Sequence, residues 1–187
     1  MFESALTLPS WVQEGVDFTA PYPTDADRMG LAIRIAMENI ERGSGGPFGA
    51  AVFERDTGIL VSVGVNSVVR LNNCTLHAEM VAFQLAQRRI ASFTLGADGH
   101  PAHELFTSCE PCAMCLGATL WSGISRVVIA AAREDALALG FDEGPVFTES
   151  YDYLKSRGVQ IERGLMRTEA RAVLERYRDL GGPVYNG

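Results

Sequence analysis

Apolar positions in the chain alternate between two spacings, one of about 3.6 residues and one of two, and the switches between them predict the order of elements. Over 24–42, Met29, Ile33, Ala36 and Ile40 form one apolar stripe, Thr24 and Asp27 are spaced as a capping box, and Gly43 can close a helix. Two short apolar runs at 50–54 and 59–66, joined by Arg55-Asp56-Thr57-Gly58, predict a hairpin. A second helix is expected over 75–90, capped by Thr75, with Met80, Phe83, Ala86 and Ile90 facing inward and His77 and Glu79 in its first turn. A strand at 104–107, a helix from Pro111 to Gly123 and a strand at 126–131 follow. The segment before Thr24, with prolines at 9, 21 and 23, reads as irregular, and 133–157 as a mixture of helical pieces and turns. A last strand at 159–162 and a last helix at 168–180 precede the tail Gly181-Gly182-Pro183-Val184-Tyr185-Asn186-Gly187.

A hairpin followed by strand, helix, strand, helix, strand predicts a mixed sheet of about five strands with helices on both faces, a three-layer α/β/α sandwich. At 187 residues the chain suits a single domain spanning 1–187, and 47% apolar with 21% charged residues is ordinary for a globular protein. No internal repeat is evident.

Charge narrows the range of partners. The 16 Lys and Arg against 23 Asp and Glu give a formal net charge of -7, which opposes a broad phosphate-binding surface and so a nucleic-acid partner. The densest basic series, Arg167, Arg171, Arg176 and Arg178, is interleaved with Glu169, Glu175 and Asp179 and reads as a solvated helix face. Met1-Phe2-Glu3-Ser4 carries no basic n-region, and no apolar run nears the roughly 18 residues of a membrane span, so a cytoplasmic protein without a membrane partner is expected.

Four cysteines, three of them within 109–115, are too crowded for a secreted disulfide framework and suit metal binding under reducing conditions. His77-Ala78-Glu79 and Pro111-Cys112-Ala113-Met114-Cys115 supply one imidazole and two thiolates, a donor set for Zn²⁺ that leaves a fourth tetrahedral position to water or hydroxide. Helix starts add unpaired N–H groups that favour thiolate over thiol. Glu79, two positions after His77, can then move a proton between that water and a substrate. The alternative is a closed structural site in which Cys109 or Cys74 completes the shell and Glu79 is an ordinary surface acid; the pairing of the two motifs favours the open one. His100 and His103 fall in a polar loop and are expected to be solvated, and Cys74 and Cys109 to be small buried residues.

These residues match a signature shared by zinc deaminases, and the chain resembles the cytidine deaminase-like superfamily. Within it the likeness is strongest to bacterial guanine deaminases of this fold, through Gly45-Gly46-Pro47-Phe48-Gly49-Ala50, His77-Ala78-Glu79, the run from Thr107 through Cys112 and Cys115 to Ala118, and Gly140-Phe141-Asp142-Glu143. The resemblance implies a zinc-dependent aminohydrolase acting on a free nucleobase, with one zinc per chain held by His77, Cys112 and Cys115 and with Glu79 as proton shuttle. It further implies that Asn66 and Phe48 hold the base, that Asp142 belongs to the substrate loop, and that Trp121 lines the pocket or packs at the end of its helix. In guanine deaminases the loop resembles Gly-Phe-Asp-Asp, its last acid working with the substrate amine; Glu143 stands there with one more methylene. A C-terminal segment that closes the pocket, exchanged between subunits of a homodimer in such proteins, makes 182–187 a candidate lid with Tyr185 as its closing residue. Cytosine, a pterin, ammeline or tRNA adenosine remain alternative substrates, and a non-catalytic zinc module is the reading from a different class.

Overall fold

The computed structural model describes residues 6–185 of the chain; Asn186 and Gly187, the end of the candidate lid, and residues 1–5 lie outside the described residues. Five strands form one mixed sheet in the order β2-β1-β3-β4-β5: β1 (Gly49–Glu54), β2 (Leu60–Val65), β3 (His103–Cys109), β4 (Arg126–Ala131) and β5 (Gln160–Arg163). β1 pairs antiparallel with both β2 and β3, while β3, β4 and β5 run parallel.

Alternation along the strands divides the interior into two layers, because successive side chains point to opposite faces. Ala51, Phe53, Phe106, Val128 and Ala130 pack beneath α2 (Asp25–Glu41) and the last helix, Arg167–Asp179. Ala50, Val52, Leu105, Val127 and Ile129 pack on the other face with Ala78, Ala82, Phe83, Leu116 and Leu154. These come from α4 (Ala78–Arg89), α5 (Ala113–Ser122) and α7 (Thr148–Ser156). Covered on both sides, β1 to β4 are buried almost throughout, whereas β5 is an edge strand whose exposed Gln160, Glu162 and Arg163 discourage further pairing. The sandwich expected from the element order is the architecture found.

Helix boundaries follow local chemistry. The Thr24–Asp27 capping box forms as expected, a device that contributes about 1 kcal/mol. Thr75 does not cap α4. Its hydroxyl and amide both bond Asn73 Oδ1 in a tight turn, and His77 is the cap residue. The helix expected from Pro111 begins at Ala113, with Cys112 at the cap and Gly123 in a left-handed conformation at the stop.

The N-terminal segment is not wholly irregular: α1 (Ser10–Gly15) puts Trp11 and Val12 into the core, and α3 (Val68–Leu71) follows β2. The 133–157 region resolves into α6 (Arg133–Leu137), an irregular loop and α7; the Arg167–Asp179 helix is α8. Arg171 and Arg178 on α8 pair with Glu175 and Asp179, which bears out the solvated face.

One polar cluster sits at the edge of the core. Glu104, fully buried on β3, is hydrogen-bonded by Arg28 and, at 2.8 Å, by Arg126, which also pairs with Asp25 and Glu162. A carboxylate so placed is tolerable because cations meet both its oxygens. His103, expected in solvent, is 1% exposed on β3 with Nδ1 2.7 Å from the Leu95 carbonyl oxygen. Extension of β3 by one residue beyond the polar loop carries it inside. Among the described residues no helix is long and apolar enough to cross a membrane.

Candidate active site

Two helix starts meet at the carboxyl end of β3. α4 is drawn close to the sheet at Gly64, where a Cβ would come within 2.0 Å of the Ala78 carbonyl oxygen, so a side chain there would push away the turn bearing His77 and Glu79. The chain between β3 and α5, Glu110-Pro111-Cys112, brings the two thiols opposite that turn. One donor atom from each of His77, Cys112 and Cys115 lies within 4.8 Å of the others, with His77 Nδ1 and Cys112 Sγ 3.5 Å apart. An imidazole and two thiols this close, at two positive helix ends, fit Zn²⁺ and leave room for a fourth ligand.

The charge states agree with a metal-binding role. Hydrogen bonding from Cys115 and His77 overcomes burial and holds the Cys112 thiol down at about 4, so it is a thiolate at neutral pH. Cys115, hydrogen-bonded to Cys112 and buried, is pushed well above its ordinary value. The second thiol thus carries its proton until a metal displaces it. For His77, burial favours the neutral ring, but Cys112 and Glu79 together draw its proton affinity upward.

The cavity beside these donors has a volume of about 330 Å³, within the range of small-molecule sites. Glu79 and Glu143 both line it and both are buried. Burial, reinforced by the Cys112 thiolate, raises the proton affinity of Glu79, and the Thr107 hydroxyl lies 3.4 Å from its Oε1. The same two causes, with Glu79 itself adding, push Glu143 up to about 7. Two carboxyl groups that share a small site cannot both ionise easily.

Three more of the expected residues line the cavity, and a fourth, Asn66, lies behind them beside Tyr185. Phe48 lines the cavity edge-on to Phe141 at 5.1 Å between ring centroids. Asp142 lines it too and accepts the Gly144 N–H at 2.8 Å, which shapes the loop. Tyr185 closes one side, its ring 5.1 Å from Phe141 and its hydroxyl so near Gly46 that a Cβ there would overlap it at 1.9 Å. Asn66 is fully buried with Oδ1 accepting from Val68 N–H; among the described residues its amide nitrogen and the nearby Tyr185 hydroxyl make no hydrogen bond of normal geometry. Unmet buried polar atoms are expensive, and a polar ligand would relieve them.

Trp121 is not at the site. It is 79% exposed near the far end of α5, neither lining the cavity nor packed in the core, because it points away from the helix face on which Cys115, Thr119 and Ser122 are buried. Cys74, expected buried, is exposed and lines the cavity mouth, whereas Cys109 is buried as expected. His100 is exposed. Neither Thr107 beside Glu79 nor Phe141 in the wall was singled out for a role. Phe141 lies inside the Gly140–Glu143 motif, and the alternation along β3 places Thr107 on the same face as Leu105, toward α4.

A three-layer sandwich with a His, Cys, Cys donor set and a buried glutamate at paired helix starts defines a zinc-dependent deaminase domain. The chain belongs to the family described by the cytidine and deoxycytidylate deaminase zinc-binding region, which residues 23–131 match. The guanine deaminase of Bacillus subtilis (strain 168) is 37% identical over 118 residues, 63% of this chain and 71% of that protein. The solved guanine deaminase from Nitrosomonas europaea is 40% identical and superimposes with a TM-score of 0.90 over 96% of this chain and 99% of its own. A structure solved with 2,6-diaminopurine is 41% identical with a TM-score of 0.92, covering 98% of this chain and 97% of that one. The tRNA-specific adenosine deaminase of Buchnera aphidicola is more distant, 28% identical over 82% of this chain and 93% of its own length.

Proposed function

We propose that the protein deaminates guanine hydrolytically, consuming water and releasing xanthine and ammonia. The observation that carries the reading is the pair of buried carboxyl groups, Glu79 and Glu143, on one cavity beside the His77, Cys112 and Cys115 donors. Support for the substrate comes from the two guanine deaminases and from relatives solved with 2,6-diaminopurine and 8-azaguanine.

His77, Cys112 and Cys115 would hold one zinc ion per chain with water or hydroxide as its fourth ligand; zinc in such a shell supplies a nucleophilic water at neutral pH. With that water supplied, Glu79 would accept its proton as the oxygen adds to the carbon bearing the exocyclic amine and would deliver it to the adjacent ring nitrogen. Glu143, buried on the same cavity as Glu79, would then protonate the departing amine. The water oxygen stays as the new carbonyl of xanthine, its remaining proton passing to Glu79 as the C–N bond breaks so that one carboxyl proton is kept overall, and the nitrogen leaves as ammonia. Phe48 packs on the base, Asn66 and Asp142 contact its polar edge, and Tyr185 shuts out bulk water, as a segment 182–187 closing the pocket would require.

We place this activity in purine catabolism, in a cytoplasmic homodimer whose C-terminal segments are exchanged, as the family resemblance implies; opening at Gly181-Gly182 would allow the exchange. The net charge of -7 weighs against a tRNA partner. The test is ammonia release from guanine, adenine, cytosine, their nucleosides and ammeline by zinc-loaded protein. Release from guanine far above the rest is expected, and none from guanine refutes the substrate.

A further inference from the structure

The loop between α6 and α7 has no regular structure, yet it must hold a carboxyl group inside a cavity at 8% exposure. Burial works against such a group, so something has to keep the loop closed over it. From the α5 side, the Ala113 N–H donates to the Glu143 carbonyl oxygen at 3.0 Å. From the α6 side the holder is Arg133, whose Nη2 donates to the Gly144 carbonyl oxygen at 2.5 Å and whose Nη1 donates to that of Val146 at 3.3 Å.

Arg133 is itself fixed. Its backbone N–H donates to Glu110 Oε2 at 3.1 Å, and Glu110 is paired with Arg163 on β5. As a stabilising device the arrangement is poor: a guanidinium is committed to two neutral carbonyls, and its buried Nε has no partner among the described residues. Its planar fork does suit one task, which is to hold two successive turns of an irregular loop in a single geometry.

We propose that Arg133 is a positioning residue: by clamping the Gly144 and Val146 carbonyls it fixes the loop that presents Glu143 to the substrate. The inference rests on the role given above to Glu143 in releasing the amine. It assigns no contact between Arg133 and the substrate.

The test uses full-length, zinc-loaded Arg133→Met and Arg133→Lys, alone and combined with Glu143→Gln. Displacement of Glu143 by about 1 Å corresponds to a loss of about a hundredfold in kcat, with KM little changed. Lysine, which retains a donor but not the fork, should recover part of this loss. Zinc content should stay as in the wild type, while amide exchange at 144–146 speeds up. In the Glu143→Gln background the Met change should cost nothing further in kcat, since the group it positions is already gone. Multiplicative losses in the double variant, or unchanged exchange across 144–146, overturn the proposal. Should the Met variant lose zinc or fail to fold, the Lys variant carries the same cycle. A wild type inactive on guanine sinks the substrate reading, while the exchange measurement still decides whether Arg133 holds the loop.

Discussion

Replacing Glu143 by glutamine removes a group that the fold raises from an ordinary carboxyl value of 4.5 to about 7, and that difference has a measurable energetic sign. Where a carboxyl binds its proton more tightly in the folded state, folding is favoured below the unfolded value. The advantage is lost as pH rises through the folded one. At about 1.4 kcal/mol per pH unit, wild-type protein should lose about 3 kcal/mol between pH 4.5 and pH 8 through this side chain alone. Glu143→Gln, similar in shape and neutral throughout, does not lose it. Metal-free wild type and variant should therefore have closely similar denaturation midpoints near pH 4.5, and by pH 8 the variant should be the more stable by about that amount. Urea denaturation at closely spaced pH values, with the two proteins compared at each, isolates Glu143 together with the His77, Glu79 and Cys112 charges coupled to it, because titrating groups remote from the site cancel. A stability difference that stays flat across this range, or that favours wild type as pH rises, would refute the burial argument and with it the assignment of Glu143 as an acid at neutral pH.

Three further outcomes follow from named contacts. Glu79→Gln should keep the fold and its zinc but lose about a hundredfold or more of ammonia release, and undiminished turnover would remove Glu79 from the chemistry. Glu104→Ala leaves buried Arg28 without its carboxylate, while Arg126 keeps Asp25 and Glu162, and should cost about 3 kcal/mol, read as a fall in thermal midpoint with the candidate metal-site residues untouched. Gly46→Ala puts a methyl group where the Tyr185 hydroxyl sits and should displace the tail, lowering kcat/KM for guanine without changing metal content; equal activity would remove Tyr185 from the closure.

The cluster of His77, Cys112 and Cys115 beside Glu79 was legible in the sequence because its geometry is local. A spacing of two residues at the start of one helix and of three at the start of the next fixes side-chain directions by the pitch of the helix itself, whatever the rest of the chain does. The layered architecture was legible for a related reason: alternation at two spacings tells strands from helices, and their order along the chain implies crossovers that cover both faces. Periodicity does not say which neighbour provides that cover or where it stops. Trp121 belongs to an apolar helix, yet it projects into solvent because it lies on the face opposite the buried Thr119 and Ser122; His103 looks polar and lies inside because β3 reaches it. Cys74 at the cavity mouth, Thr107 beside Glu79, and Asn66 and Tyr185 brought together from 119 positions apart are likewise products of tertiary contact. The chemistry available to the protein was thus written in two short motifs. Which groups surround that chemistry, and how tightly each holds its proton, depended on long-range packing, because desolvation and charge proximity exist only once distant segments have met.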